Sequence, residues 1–355
     1  MIDTKKLIDD LNKVFSPTSE SVKQLEQMIQ SYSQNQQANI AYFVDNGLEW
    51  NSNATPEDVQ NVLQELKQFQ EQVHQEETGG LVGVSTLCGI ILNNLPYQTN
   101  LDVAKLKSRI QVAKLGIDTA KHLQQEQNQI EEKTTSVIEK YVKPVRVDND
   151  DELAQKIASF NSHHGYHPVY KQRALMRIAW QNATPEKPIN LIFRHMQQLA
   201  VDLDNIIDYA VKNHVNWNAM TKQYEKLFNA SQQDNLSQGK WRSTVAKEYM
   251  STQANLKRVF VTECKARQTQ VAAKDYQVQG YNEVEVVSRH SSHVCSFCIT
   301  TDGSIVKIDE MEQGINVPPF HPNCCCNVIP VANMNYDDVL NELNTKSLNC
   351  LFFIR

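Results

Sequence analysis

The chain has 355 residues, a net charge of −6, 41% hydrophobic and 21% charged residues. That composition supplies a core and excludes wholesale disorder, and the length suits two domains at roughly 150 residues each, or one with an elongated extension. Glycine is scarce at 11 residues, which argues against a turn-rich sandwich or barrel and for long helices, while six of the eight cysteines fall at or after Cys295.

The first residues, Met1 to Asp10, hold no apolar run and read as no export signal. A reducing compartment is therefore expected, where clustered cysteines mean metal or redox chemistry more often than disulfides. Thr55-Pro56-Glu57-Asp58 predicts a helix start, with a capping hydroxyl, proline at the first position and acids in the first turn. Val59, Val62, Leu63, Leu66, Phe69 and Val73 then follow as an apolar stripe. Leu81 to Leu95 is the most apolar stretch, too short to span a bilayer, and reads as a core element with Cys88 as a small buried hydrophobe. No membrane contact is expected. Leu101 to Tyr141 predicts one long helix, with Val103, Leu106, Ile110, Ala113, Ile117 and Ala120 on one face and a glutamine-rich continuation from Gln124.

Pro144 and the acids Asp148, Asp150, Asp151 and Glu152 suggest a boundary near residue 150. Beyond it, helices are expected near 188–212, 217–229 and 241–276, since only Gly239 interrupts the stretch between Gly165 and Gly280. Tyr281 to Ser288 predicts a strand, and Asp302-Gly303 a turn between short strands. The expected fold class is mainly α, with long helices followed by a small C-terminal α+β module of zinc-ribbon type. The expected division is an acidic helical region at 1–150, a basic helical middle at 151–280, a Cys/His module at 281–331 and a tail at 332–355. Charge follows the chain: residues 165–280 carry 16 Lys/Arg and 9 Asp/Glu, a net +7, whereas 281–330 carry 2 and 6, a net −4. A basic middle suits contact with nucleic acid or an acidic partner, or is an ordinary solvated helical surface.

The chemistry concentrates in Cys295-Ser-Phe-Cys298 and His321-Pro-Asn-Cys324-Cys325-Cys326. A Cys-x-x-Cys turn places two sulfurs on one ion, and His-x-x-Cys after a further 22 residues supplies two more ligands. Cys295, Cys298, His321 and Cys324 make a closed Cys₃His set for a structural Zn²⁺ with no open position for water. Adjacent cysteines of an extended chain point apart, so Cys326 is the alternative fourth ligand and Cys325 is not. His290 and His293 lie close enough in sequence to be drawn in. A thioredoxin-like redox pair and disulfide bonding remain competing readings of the same cysteines.

Val294-Cys-x-x-Cys298, Asp302-Gly303 and Pro318-Pro-Phe-His-Pro-Asn-Cys-Cys-Cys326 resemble the C-terminal signature of the phage head-morphogenesis or minor head protein family of the Mu F-like type. The resemblance extends upstream to about residue 179 through Arg194, Leu199, Leu203, Ile206-Ile207, Trp217 and Leu227. Val261-Thr262-Glu263 stands where the family usually has Arg-Thr-Glu, Cys325 where it usually has arginine, and Ser291 where it often has aspartate. The resemblance implies a non-enzymatic minor capsid protein, in a virion or encoded by a prophage. It would sit in the capsid interior at the portal vertex and in the host cytoplasm during assembly. Its expected partners are the portal protein and capsid or scaffold components, with phage DNA touched through the basic helices of 165–280.

Two other readings compete. One is a zinc-ribbon nucleic-acid-binding protein, although a net −4 module repels phosphate. The other is a metal-dependent nuclease or toxin using His163, His164 and His167, for which no complete catalytic set is visible; Gly-rich phosphate loops, Gly-x-Ser-x-Gly and His-Glu-x-x-His are all missing. Glu263 is expected to be a structural buried acid that binds a backbone donor or an arginine.

Overall fold

The computed structural model describes residues 2–45, 47–92, 96–143, 188–214, 252–289 and 294–331. The element order is α1 (Thr4–Val14), α2 (Glu20–Asp45), α3 (Pro56–Thr78), α4 (Val84–Leu92), α5 (Asn100–Tyr141), α6 (Pro188–Lys212), α7 (Thr252–Val278), β1 (Glu283–Val287), α8 (Ser296–Thr301), β2 (Ile305–Lys307), a 3₁₀ turn at Ile308–Glu310, and β3 (Asn327–Pro330). The protein is mainly helical, with one small antiparallel sheet near the C-terminus. The helix expected at 217–229, the start of the one expected at 241, His163, His164 and His167, His290 and His293, and the tail with Cys350 lie outside the described residues.

The chain divides into two compact units that do not follow sequence order. One gathers residues 1–14, 131–165 and 265–355; the other gathers 15–130 and 166–264. The expected borders at 150 and 280 do not coincide with these units. Helices α5 and α7 contribute their first parts to the second unit and their last parts to the first.

In the second unit the helix signals act as the sequence predicts. Thr55 Oγ1 accepts from Asp58 N at 3.1 Å, which satisfies one of the donors left free at the start of α3. Val62, Phe69 and Val73 are buried, whereas Leu63, counted in the same stripe, is exposed, because its place on the helix turns it to solvent. Cys88 is buried on α4, but Val82 and Ile90 are exposed there, so only one side of this apolar stretch is core. None of the described helices is long and apolar enough to cross a membrane.

Helix α5 is buried along Val103, Leu106, Ile110, Ala113, Ile117 and Ala120, and Val112 and Leu115 are buried as well, so it is embraced on more than one side. Arg109 ties three helices together. Its Nε and Nη2 donate to Asp204 Oδ2 at 3.0 and 2.6 Å, and its Nη1 donates to the Ile91 carbonyl at the end of α4 at 2.8 Å. Burial nevertheless raises the Asp204 carboxyl, against the pull of Arg109.

Gly116 lets α5 and α6 approach closely. A Cβ built there would stand 3.0 Å from both Met196 Cγ and Phe193 Cζ, both on fully buried side chains. Helical glycine ordinarily costs about 1 kcal/mol relative to alanine, so its presence here reflects that lack of room. Gly116→Leu is expected to overpack the contact and lower stability by about 1–3 kcal/mol, read as a lower unfolding midpoint in denaturant with the slope unchanged.

The first unit is built on the sheet. β1 lies between β2 and β3 and pairs antiparallel with both, Val284 opposite Val306 and Val286 opposite Val328. Alternation turns Val284 and Val286 inward and Glu283 and Glu285 away from the core. The core under the sheet joins Leu7 and Leu11 of α1, Ile138 of α5, Tyr276 of α7, and Val317 and Phe320 of the segment before β3. Tyr276 Oη donates to the Val328 carbonyl at 3.2 Å, and Tyr281 Oη to the Lys143 carbonyl at 3.1 Å. Asp302-Gly303 forms its turn between α8 and β2, not between two strands, because Ser296 to Thr301 coils into a short helix after Cys295. Gly303 there has φ of +75°, a conformation that glycine adopts without a Cβ penalty.

Candidate metal centre

The short helix α8 starts on a sulfur. Cys295 Sγ accepts from Cys298 N at 3.4 Å, so the Cys-x-x-Cys segment closes into one turn with both thiols on the same side. His321 is brought to them by the Pro318-to-Asn323 segment. Its Nε2 lies 3.2 Å from Cys295 Sγ and 3.2 Å from Cys298 Sγ. Its Nδ1 lies 2.8 Å from the Pro322 carbonyl. A carbonyl only accepts, so Nδ1 carries the proton and, in the neutral ring, Nε2 presents its lone pair to the two sulfurs. Metal-binding imidazoles are commonly oriented in this way.

Cys298 also belongs to a second cluster. Its Sγ lies 3.9 Å from Cys324 Sγ, and Cys298, Cys324 and Cys326 all place their sulfurs within 4.8 Å of one another, as do the donor atoms of Cys295, Cys298 and His321. Four ligands about 2.3 Å from one ion stand about 3.8 Å apart, so the Cys298–Cys324 spacing matches an edge of such a tetrahedron. The expected ligands, with Cys326, thus meet in two groups of three that share Cys298. Cys298, Cys324 and Cys326 are buried among core side chains, whereas Cys325 is half-exposed and points its sulfur to the Asn323 carbonyl at 3.5 Å. The cysteines among the described residues are all free thiols.

The thiols share charge unequally. Hydrogen bonds from Cys298 and Cys326 pull Cys324 well below the ordinary thiol range. Cys298 is raised in turn by Cys324, Cys326 and burial. Cys326 is lowered by Cys298 but raised by Cys324 and burial, and ends at about 12. For Cys295, burial acts upward and is outweighed by the hydrogen bonds from the Cys298 turn and by His321, so the thiol is lowered. A donor set of several thiols and one imidazole is the chemistry of soft or borderline divalent ions. The residues therefore fit a metal ion.

Beside this cluster lies a lysine that sequence patterning does not single out. Lys265 on α7 is 4% exposed. Its Nζ donates to Gln268 Oε1 at 2.8 Å and Asn327 Oδ1 at 2.5 Å. Burial pushes its ammonium down to about 8, against the thiols of Cys325, Cys324 and Cys326, which favour its charge. Only the fold brings Lys265 and Asn327 together, 62 residues apart in sequence, so no local pattern could mark them.

Glu263, in the second unit, departs from expectation. It is wholly buried, yet among the described residues neither carboxylate oxygen has a hydrogen-bond partner, neither an arginine nor a backbone donor. Burial raises its pKa well above the ordinary 4.5 and so favours the protonated carboxyl in the folded chain. The unfolded chain releases that proton near 4.5. This stabilising contribution is therefore complete below 4.5 and declines as pH rises through the folded value. Glu263→Gln is expected to raise the melting temperature at pH 7 to 8 and to flatten its dependence between pH 4.5 and 8, measured by thermal unfolding across that range.

Residues 205–329 match the family model described as Phage Mu protein F like protein. The matched segment begins inside α6, so Arg194, Leu199 and Leu203 precede it, and it contains α7, Glu263 and both cysteine clusters. No curated protein and no solved structure gives a significant match to the chain.

Proposed function

We propose that this chain, Mu F-like over residues 205–329, is a minor head protein that acts in phage head assembly beside the portal, with a structural and not a catalytic role. The match over that segment carries the reading. The geometry at its end supports it, because an imidazole lone pair and buried thiols are gathered where the family resemblance places its Cys/His signature. Cys295, Cys298, His321 and Cys324 would hold one Zn²⁺, with Cys326 as the alternative fourth ligand. The ion would cross-link α8 to the segment before β3 and add its binding energy to folding, as in other small metal-held modules. With its ligand positions filled by the protein, such an ion has no place for a reacting water.

The particle interior at the portal vertex is the proposed location, with the host cytoplasm during assembly, and the portal and capsid or scaffold proteins are the proposed partners. DNA contact, if made, belongs to the basic stretch 165–280, since the module's net −4 repels phosphate. That charge also disfavours a zinc-ribbon module that grips nucleic acid by itself.

Two measurements test these statements. Protein purified in reducing buffer is expected to carry one zinc per chain. Cys298→Ser, which removes the ligand common to both clusters, abolishes it, while Cys325→Ser leaves it in place. Zinc at 100 times its Kd is expected to stabilise the fold by about 2.7 kcal/mol over chelated protein. Protein without stoichiometric metal overturns the metal reading. Co-expression with the portal protein of the same phage is expected to yield a complex that survives size exclusion. Failure of the two to co-purify overturns the portal reading.

A further inference from the structure

The sheet of the first unit ends on β2. The strand order is β2-β1-β3, and among the described residues no strand but β1 pairs with β2. Ile308 N donates to the Asn282 carbonyl at 2.8 Å and Val286 N to the Ser304 carbonyl at 2.9 Å, so Ser304 and Ile308 turn their backbone groups to β1. By the alternation of an antiparallel ladder Val306 does the same, opposite Val284, while Ile305 and Lys307 turn theirs outward, each with one N–H and one C=O. An outward row of this kind is a template for a further strand. Its side chains set what that strand must carry. Val306 packs against the core. Ile305, on the other face, is 58% exposed, and opposite it on β1 stands Glu285, turned away from the core. Asp309, Glu310 and Glu312 follow β2 directly and are exposed. The segment 281–330 holds six acids against two bases.

We propose that the outer edge of β2 binds an extended, basic segment of a partner protein as an added strand, with an apolar residue opposite Val306 and a lysine or arginine opposite Ile305. The apolar residue continues the core past Val306. The basic residue lies on the outer face, where its aliphatic stem covers Ile305 and its cation extends towards Glu285. Two strand spacings, about 10 Å, separate the added backbone from that of β1, a gap that a lysine or arginine and a glutamate close between them. Charge selects the occupant. An acidic strand and nucleic acid are both repelled by the surrounding carboxylates, and so is a second copy of this chain, whose module carries the same net −4. The proposal is independent of the metal centre and of the portal reading, since it uses neither the thiols nor His321.

The probe is a short peptide of alternating valine and lysine, whose two faces meet both demands. The full chain is expected to bind it saturably at low salt, read by fluorescence anisotropy, and binding is expected to slow hydrogen exchange at the amides of Ile305 and Lys307. The same peptide N-methylated at alternate residues keeps its charge and loses backbone hydrogen bonds, and is expected to bind about tenfold more weakly or worse. A valine–glutamate peptide is expected not to bind. Ile305→Pro removes an outward N–H and none that faces β1, and is expected to weaken binding by about tenfold or more while the unfolding midpoint stays near that of wild type. Glu285→Gln is expected to weaken it about 2- to 5-fold, a difference that disappears at high salt. The comparison of the two valine–lysine peptides needs only the wild-type chain, so it stands if Ile305→Pro does not fold. No saturable binding of the valine–lysine peptide overturns the proposal. Equal binding of its N-methylated form shows attraction by charge alone and overturns it as well. If the amides of Ile305 and Lys307 exchange slowly before any peptide is added, the edge is already paired, by the chain itself or, where sedimentation shows a dimer, by a second copy, and the partner role falls.

Discussion

A segment of about fifty residues cannot bury enough apolar surface to hold itself together. Residues 281–331 are in that position, with three short strands, one six-residue helix and a 3₁₀ turn. The organisation of the first unit answers this constraint. The sheet rests on Leu7 and Leu11 from the start of the chain, Ile138 from the end of α5, and Tyr276 from the end of α7. The thiols of Cys298, Cys324 and Cys326 sit in the same core, so the candidate metal centre and the hydrophobic core are one structure. A ligand lost from the centre is also a gap in the packing.

That arrangement explains why polar groups are tolerated so deep in the unit. Lys265, Gln268, Asn327 and Asn12 form a chain of hydrogen bonds in which the carboxamides of Gln268 and Asn327 each use both oxygen and nitrogen. Such a network is costly when half satisfied and rigid when complete. Glu263, two residues before Lys265 and assigned to the other unit, is the contrasting case: a buried acid whose oxygens have no hydrogen-bond partner among the described residues and whose pKa burial raises. Positions two residues apart on one helix thus hold an ammonium with hydrogen bonds and a carboxyl whose oxygens have none among the described residues.

The second unit depends on steric fit and paired charge more than on chemistry. Gly116 admits Phe193 and Met196, and Arg109 binds the end of α4 to Asp204 of α6. The ion pairs Lys114–Glu65 and Lys121–Glu76, at 2.9 and 2.7 Å, join α5 to α3 at partly exposed positions, where each is worth at most about 1 kcal/mol. Burial of the apolar faces therefore dominates.

Local patterns were enough to place the helix start at Thr55, the long helix expected over Leu101 to Tyr141, the helix opened by Pro188 and the strand expected within Tyr281 to Ser288, because caps, proline and periodicity act within a few residues. The same is true of the Cys-x-x-Cys turn, and of Cys325 standing apart from Cys324 and Cys326, since alternation along an extended segment needs no partner. The two-unit division was not legible, because residues 1–14, 131–143 and 265–331 meet only after the chain has returned over more than a hundred residues. Nor were the roles of Lys265, Asn327 and Glu263, whose type says nothing of what will surround them. The sequence by itself determined which residues could bind an ion and which segments would coil. The tertiary structure alone decided that Cys298 is common to both clusters, that Lys265 is buried on Gln268 and Asn327 and that Glu263 has no hydrogen-bond partner among the described residues, because burial and pairing are properties of the assembled core and not of any stretch of chain.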